Sequence, residues 1–186
     1  MADWRDDLLQ RHPQLFGRAY PSVGDGWRDL LERALARMAK IVAGERGARV
    51  QISQVKEKFG TLRLYYDESG LSDSASAEIE EAVELAEARS ACTCDLCGSE
   101  GRLQSTGIWL STRCRAHADG EAVPTAPGWE NLLVKRGFVE GKFRVTSCRR
   151  YDRATDRFVA VPLPPDLQED EGEESGEIRS PQRRAP

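Results

Sequence analysis

The sequence predicts an α+β fold in which helices pack on β-hairpins, and three observations support this class. Apolar residues recur at helical spacing in two long segments, while apolar and polar residues alternate in shorter segments bounded by turn residues. Between them lie two spaced pairs of metal-ligating residues. The 186 residues contain no apolar run near the ~20 residues that cross a bilayer. Residues 1–7 also lack the features of a signal peptide, so we expect a cytoplasmic protein with no membrane partner.

The predicted helices lie mainly in the first half of the chain. A short helix is expected over residues 3–10, and a long one over residues 27–42 with Asp25 as its cap and Gly44 just past its end. A third helix over 75–90 carries a mostly solvated acidic face. A fourth, short helix is predicted for 127–136, closed by Gly137.

Two β-hairpins complete the predicted fold. The first joins strands 49–55 and 61–67 through residues 56–60, and the second joins strands 142–151 and 157–163. Four regions follow from this organisation. Residues 1–91 form a helical and hairpin region, 92–122 a zinc unit, 123–164 a short helix and hairpin on the same core, and 165–186 a disordered acidic tail.

The central motif is C-x2-C-x16-C-x2-H, formed by Cys94, Cys97, Cys114 and His117. Two such pairs are typical of a tetrahedral Zn²⁺ site, and Gly98 supplies the residue tolerant of positive φ that a zinc knuckle needs. Because all four coordination positions are filled by protein, the zinc is expected to be structural. Treble clef and zinc ribbon are both compatible with the order of elements, and buried free cysteines are the alternative without metal.

The other two cysteines have less specific positions. Cys92 lies two residues before Cys94 and could replace it as a ligand, although C-x-C spacing fits a knuckle less well. Cys148 falls in the second hairpin and is expected to be a core thiol.

Motifs of known enzyme classes are missing from the sequence. It contains no phosphate-binding loop, no nucleophile elbow and no H-E-x-x-H, and the H-x-E motif that zinc deaminases place before their cysteines is absent. We therefore expect a non-enzymatic binding or adaptor protein. An enzyme whose polar residues meet only in three dimensions remains a further hypothesis.

The tip of the first hairpin is the predicted contact with a protein partner. Its candidate residues are Lys56, Lys58, Phe59 and Arg63. This interpretation requires Phe59 to be exposed beside the lysines. The alternative is an ordinary amphipathic hairpin whose Phe59 is tucked under the turn.

Nucleic-acid binding is the alternative function. Residues 130–157 contain eight basic and four acidic side chains, although residues 1–164 as a whole hold 24 of each. The candidate residues of this basic region are Lys135, Arg136, Lys142, Arg144, Arg149 and Arg150. The neutral charge of the body argues against a dedicated duplex binder.

Three motifs in one order also suggest a relationship. They are Gly24-Asp25-Gly26-Trp27, the segment 54–60 with sequence QVKEKFG, and the Cys/His motif. Over about residues 20–120 the chain resembles a group of small uncharacterised zinc-binding proteins encoded by bacteria and their phages. The resemblance implies an accessory protein of bacterial or phage origin with a zinc-stabilised C-terminal half, and it carries no activity.

Overall fold

A computed structural model describes residues 3–165 and 167. Among these residues it has the mixed α+β architecture that the sequence predicts, and it contains three α-helices and three antiparallel sheets. The helices are α1 (Trp4–Arg11), α2 (Arg28–Gly44) and α3 (Asp73–Ser90). The strands are β1 (Arg49–Lys58), β2 (Thr61–Ser69), β3 (Arg102–Ser105), β4 (Leu110–Arg113), β5 (Glu121–Ala122), β6 (Leu132–Val139), β7 (Lys142–Asp152) and β8 (Arg157–Ala160).

The main core lies between α2, α3 and the β1–β2 hairpin. The buried stripe of α2 follows helical spacing, and β1 and β2 turn alternate apolar residues inward until a bulge between Ile52 and Gln54 shifts the register. The largest fully buried side chains of this cluster are Trp27, Leu8, Leu15, Leu31, Leu35, Met38, Ile52, Leu62, Ile79, Val50 and Val55. This core holds the metal unit from one side.

The start of α2 differs from the prediction. Asp25 does not cap the helix, because residues Asp25–Trp27 form a 3₁₀ turn that precedes it. The Asp25 carboxylate instead accepts hydrogen bonds from Trp4 Nε1 (2.8 Å) and Arg5 Nη2 (3.0 Å), which ties α1 to this turn. Gly44 is the last residue of α2 rather than the first beyond it.

The first hairpin has a tighter turn than predicted. Pairing continues to Lys58 opposite Thr61, so the connection is only Phe59-Gly60 rather than residues 56–60. Both turn residues have positive φ (55° and 77°), as in the two-residue turns that match strand twist. The turn therefore holds Phe59 at the very end of the hairpin.

The predicted helix over 127–136 is wrong. Residues from Leu132 onward form strand β6, which joins β7 and β8 in a three-stranded sheet of order β6-β7-β8. The spacing of Trp129, Leu132 and Leu133 imitates a helical period, but pairing of Leu132–Val139 with β7 outweighs that short pattern. Gly137 lies within the strand, opposite Arg144, and does not end a helix.

The C-terminal sheet packs against α3. Leu85 and Cys92 contact Tyr151 in a second, smaller cluster. The acidic face of α3 is not simply solvated, because the side chains of Lys135 and Arg149 lie against it: both reach Glu84 at 2.6 Å.

Two further predictions concern membrane-spanning helices and the acidic tail. None of the helices among residues 3–165 and 167 has the length and apolar character needed to cross a membrane. The acidic tail predicted for 165–186 falls, apart from residues 165 and 167, outside the described residues.

Candidate metal centre

The structure brings the four predicted ligands together into a cluster that can hold a metal ion. The ligand atoms of Cys94, Cys97, Cys114 and His117 all lie within 4.8 Å of one another. The Sγ atoms of Cys97 and Cys114 are 3.7 Å apart, and His117 Nδ1 lies 3.6 Å from Cys94 Sγ and 3.4 Å from Cys114 Sγ. All five cysteines are free thiols, so no disulfide accounts for the cluster.

Three of the six distances between these ligand atoms match those around a tetrahedral ion. With metal–sulfur bonds of about 2.3 Å and metal–nitrogen bonds of about 2.0 Å, tetrahedral geometry separates two sulfurs by ~3.8 Å and a sulfur from a nitrogen by ~3.5 Å. The observed separations of 3.7, 3.6 and 3.4 Å are close to both values. The four side chains thus surround one point, as binding of a single metal ion requires.

A compact turn presents the first ligand pair. Cys94 N donates to Ser99 O (2.8 Å) and Gly98 N donates to Cys94 O (2.9 Å), which closes the chain on itself. Gly98 adopts φ +76°, the left-handed conformation predicted for it. The turn directs the side chains of Cys94 and Cys97 to the same side.

The second pair follows the β3–β4 hairpin. Cys114 comes directly after β4, and His117 ends a single 3₁₀ turn, Arg115–His117, in which His117 N donates to Cys114 O at 3.1 Å. Arg113, at the end of β4, forms an ion pair with Asp95 of the first turn. The hairpin and this ion pair fold the second pair back onto the first.

The loop before α2 docks on the first ligand turn. Gly26 N donates to Asp95 O at 2.8 Å, and a Cβ on Gly26 would lie 2.2 Å from Cys94 O. A Cβ on Gly24 would lie 2.2 Å from Asp95 O. Only glycine allows this approach of two backbones. The first sequence motif therefore has a structural reason: it seats the metal unit on the helical core.

The pKa values of the Cys97 and Cys92 thiols are shifted in opposite directions. Hydrogen bonds from the side chain and backbone of Ser99 lower the pKa of the Cys97 thiol to about 6, which favours the thiolate that binds metal. Burial raises the pKa of the Cys92 thiol, and its Sγ donates to Arg89 O at 3.3 Å. Cys92 lies outside the ligand cluster, so it does not replace Cys94.

Cys148 is not a core thiol in the predicted sense. It is only half-buried, and its Sγ lies 3.8 Å from Pro162 O in the C-terminal sheet.

The structure separates the four candidate residues of the first hairpin tip. Phe59 is 64% exposed, which contradicts the alternative in which it is tucked under the turn. Lys58 Nζ lies 5.2 Å from the centre of the Phe59 ring, and Lys56 Nζ lies 5.3 Å from that of Tyr65. Arg63 instead folds back on its own strand, where its Nη1 donates to Leu62 O at 2.6 Å.

Sequence reasoning missed two residues beside this tip. Ile108 is 97% exposed and Trp109 is 64% exposed, and both line the same surface depression as Phe59. They lie in the turn of the β3–β4 hairpin. Two large apolar residues directly after Gly107, between the two ligand pairs, were the available signal.

The six basic candidates do not form one surface. Lys135 and Arg149 pair with glutamates of α3, and Arg150 Nη2 donates to Gly128 O at 2.8 Å. Lys142 and Arg144 lie at the other end of the β6–β7 hairpin, where both are exposed. Arg136 is exposed one step nearer the base of that hairpin.

Comparison with known proteins identifies no relative: no protein-family model matches the chain, and neither the curated proteins nor the solved structures contain a match. A functional proposal therefore rests on the residues of this chain.

Proposed function

We propose that the chain is a non-enzymatic binding protein that is stabilised by structural zinc and recognises a segment of another protein. The observation that carries the proposal is an exposed apolar patch held by two hairpins, one of which belongs to the metal unit. We call Lys58, Phe59, Ile108 and Trp109 the tip patch.

Zinc is the metal that best fits the ligand set. Three thiolates and one imidazole are soft or borderline ligands, which favour Zn²⁺ over Ca²⁺ or Mg²⁺. Four protein ligands leave no position for a water or substrate, so the ion serves folding rather than catalysis. A three-residue turn carries the last ligand where a treble clef has a helix, which favours a zinc-ribbon-like unit.

The two hairpins of the tip patch are fixed to each other. Thr112 Oγ1 donates a buried 2.7 Å hydrogen bond to Gly60 O. A Cβ on Gly60 would lie 2.4 Å from the Leu103 side chain, so the turn of the first hairpin sits directly on the metal unit. The patch is therefore preorganised, which lowers the entropic cost of binding.

The charges around the tip patch suggest the chemistry of the partner. Glu57, the acidic residue of the tip, points into the turn, where its carboxylate accepts a 2.6 Å hydrogen bond from Gly60 N. Lys56 and Lys58 remain over exposed aromatic rings. A cationic rim around apolar side chains is complementary to a peptide segment with an apolar anchor flanked by Asp or Glu.

Selection from a displayed random-peptide library on the zinc-loaded full chain tests this proposal. Enriched peptides are expected to combine an aromatic or aliphatic anchor with acidic neighbours. The double variant F59A/W109A is expected to bind them at least about ten-fold more weakly, because interface anchors carry most of the binding energy. K56Q/K58Q is expected to bind less tightly and with less dependence on salt.

The matched control is F138A/F143A, which removes two exposed aromatic rings at a different hairpin tip. This variant is expected to bind the selected peptides as the wild type does. Failure to enrich any peptide, or equal binding by F59A/W109A, contradicts the proposal.

A further inference from the structure

The β6–β7 hairpin ends in an exposed pair of aromatic rings that the proposed function does not use. Phe138 is 68% exposed and Phe143 is 77% exposed. Their ring centres lie 5.4 Å apart at an interplanar angle of 70°. The two residues are directly opposite in the strand register, so both rings project from one face. We call residues 136–145 the aromatic arm.

The aromatic arm also carries exposed basic side chains. It contains three basic side chains and one acidic side chain, Glu140. Nearer the base of the hairpin, Lys135 and Arg149 are held by Glu84. Lys142 and Arg144, by contrast, flank Phe143 and are exposed. These two exposed basic residues are thus the sequence neighbours of Phe143 on β7.

The shape of the arm allows one ligand to reach both features. Its turn is only Glu140-Gly141, with φ values of 50° and 81°, so the ribbon is two strands wide to its end. Lys142 and Arg144 lie on the face opposite the rings, paired with Val139 and Gly137. Long basic side chains can extend past the edge of so narrow a ribbon, and glycine leaves room beside Arg144.

We propose that the aromatic arm binds single-stranded nucleic acid. Unpaired bases would stack on the exposed faces of Phe138 and Phe143, while Lys142 and Arg144 contact the adjacent phosphates. The edge-to-face arrangement of the rings leaves ring surface open for stacking. In a duplex the base faces are already stacked, so single strands bind more tightly than duplex at equal charge. Two phenylalanines bury too little apolar area to hold the chain on a bilayer alone.

Fluorescence anisotropy with a labelled 20-nucleotide oligo(dT) tests the proposal on the zinc-loaded full chain. The wild type is expected to bind, and log Kd is expected to vary linearly with log salt. F138A/F143A is expected to weaken binding by about ten-fold or more, because each stacked base contributes substantially. F138L/F143L keeps apolar side chains but removes the rings, and it is expected to weaken binding nearly as much.

The charge contribution has its own variants. K142Q/R144Q is expected to lower the salt slope by roughly 1.4, since each single-strand phosphate contact contributes about 0.7. The matched control K40Q/R46Q removes two exposed basic residues at the end of α2 and beyond, and it is expected to leave the slope unchanged.

Four results overturn the proposal. They are absence of oligo(dT) binding at 50 mM salt, undiminished binding by F138A/F143A, wild-type binding by F138L/F143L, and tighter binding to duplex or to anionic phosphatidylglycerol vesicles than to oligo(dT). Unchanged zinc content and unfolding temperature of each variant exclude a folding defect. Peptide binding by the wild type and by F59A/W109A is measured separately. The proposal for the tip patch and the proposal for the aromatic arm can therefore fail independently.

Discussion

Trp27 Nε1 donates a buried 2.8 Å hydrogen bond to the carbonyl O of Thr93. Trp27 belongs to the main core, and Thr93 is the residue before the first metal ligand. The bond therefore links the packing of α2 to the position of Cys94. With Gly26 N donating to Asp95 O at 2.8 Å, the loop before α2 holds both sides of that ligand. We expect the core and the metal unit to unfold as one cooperative unit.

The substitution Gly26→Ala tests how closely the loop fits the ligand turn. The new Cβ would lie 2.2 Å from Cys94 O and 2.6 Å from Cys97 N, both backbone atoms that cannot turn aside. We expect a loss of about 3 kcal/mol in the free energy of unfolding, at the upper end for overpacking, together with weaker metal binding. Chemical denaturation and a competitive chelator titration measure the two effects.

Gly44→Ala is the control for this substitution. A Cβ on Gly44, the last residue of α2, meets no atom within 4 Å. Alanine is the better helix former, so stability is expected to stay equal or rise by up to about 1 kcal/mol. Equal effects of the two substitutions would mean that the close approach at Gly26 does not constrain the metal unit.

Removal of the metal is expected to destabilise the main core as well as the metal unit. Metal binding to a site of this kind is coupled to folding, because the unfolded chain has no preformed site. Treatment with a strong chelator is expected to lower the midpoint of thermal unfolding by more than about 10 °C, and added zinc is expected to restore it. Circular dichroism follows the helices α2 and α3. An unchanged midpoint would show that the cluster does not support folding.

We expect the fold to lose stability in acid because of the Asp156 carboxyl. Burial raises the pKa of its carboxyl, but hydrogen bonds from Tyr151 and Arg37 and the charge of Arg89 outweigh burial and hold it below the ordinary value of 3.8. A carboxyl with a depressed pKa stabilises the fold above its unfolded pKa, and this stabilisation is lost as the pH falls through its folded pKa. The wild type should therefore lose stability progressively below about pH 4.

Asp156→Asn is expected to flatten that dependence. At pH 7 it should cost ~3 kcal/mol, because Arg37 and Arg89 lose a buried partner that lies 2.6 Å and 3.5 Å away. Urea denaturation between pH 2.5 and pH 7 compares it with Asp67→Asn, which removes an exposed charge. If both variants followed the same pH profile, Asp156 would not be the group responsible.

Glu84 holds the C-terminal sheet to α3 through two ion pairs. Its carboxylate receives Lys135 Nζ and Arg149 Nη2, both at 2.6 Å, and its side chain is only 15% exposed. Glu84→Gln is expected to cost about 1–2 kcal/mol, because two charge-assisted contacts are weakened at a partly buried site. The exposed Glu78→Gln on the same helix is the control. Denaturant unfolding at low and high salt measures the stability of both variants. Equal effects of Glu84→Gln and Glu78→Gln would contradict the role of Glu84 in holding the sheet to α3.

Local patterns predicted the parts of the fold that depend on local forces. The helical period of α2 and α3 and the alternation of β1 and β2 identified the core, since burial of one face requires these periods. Ligand spacing identified the cluster because it is also a local feature. A two-residue gap brings both side chains of a pair to one point.

The remaining features depend on contacts between distant segments. Part of strand β6 was predicted as a helix because local spacing does not reveal its pairing with β7. That pairing determines the conformation of the segment. Ile108 and Trp109 join Phe59 only because the first hairpin rests on β3 and β4, which no periodicity records. The partners of Glu84 likewise lie beyond the reach of local pattern, since they are on the C-terminal sheet.

X-ray absorption at the zinc K-edge, on the full chain carrying one zinc, tests the central claim most directly. We expect three sulfur ligands at about 2.3 Å and one nitrogen at about 2.0 Å, with no additional oxygen, because the ligands are Cys94, Cys97, Cys114 and His117. A shell with oxygen ligands or six-fold coordination, or a folded chain that retains no zinc, would contradict the account of a closed structural metal site.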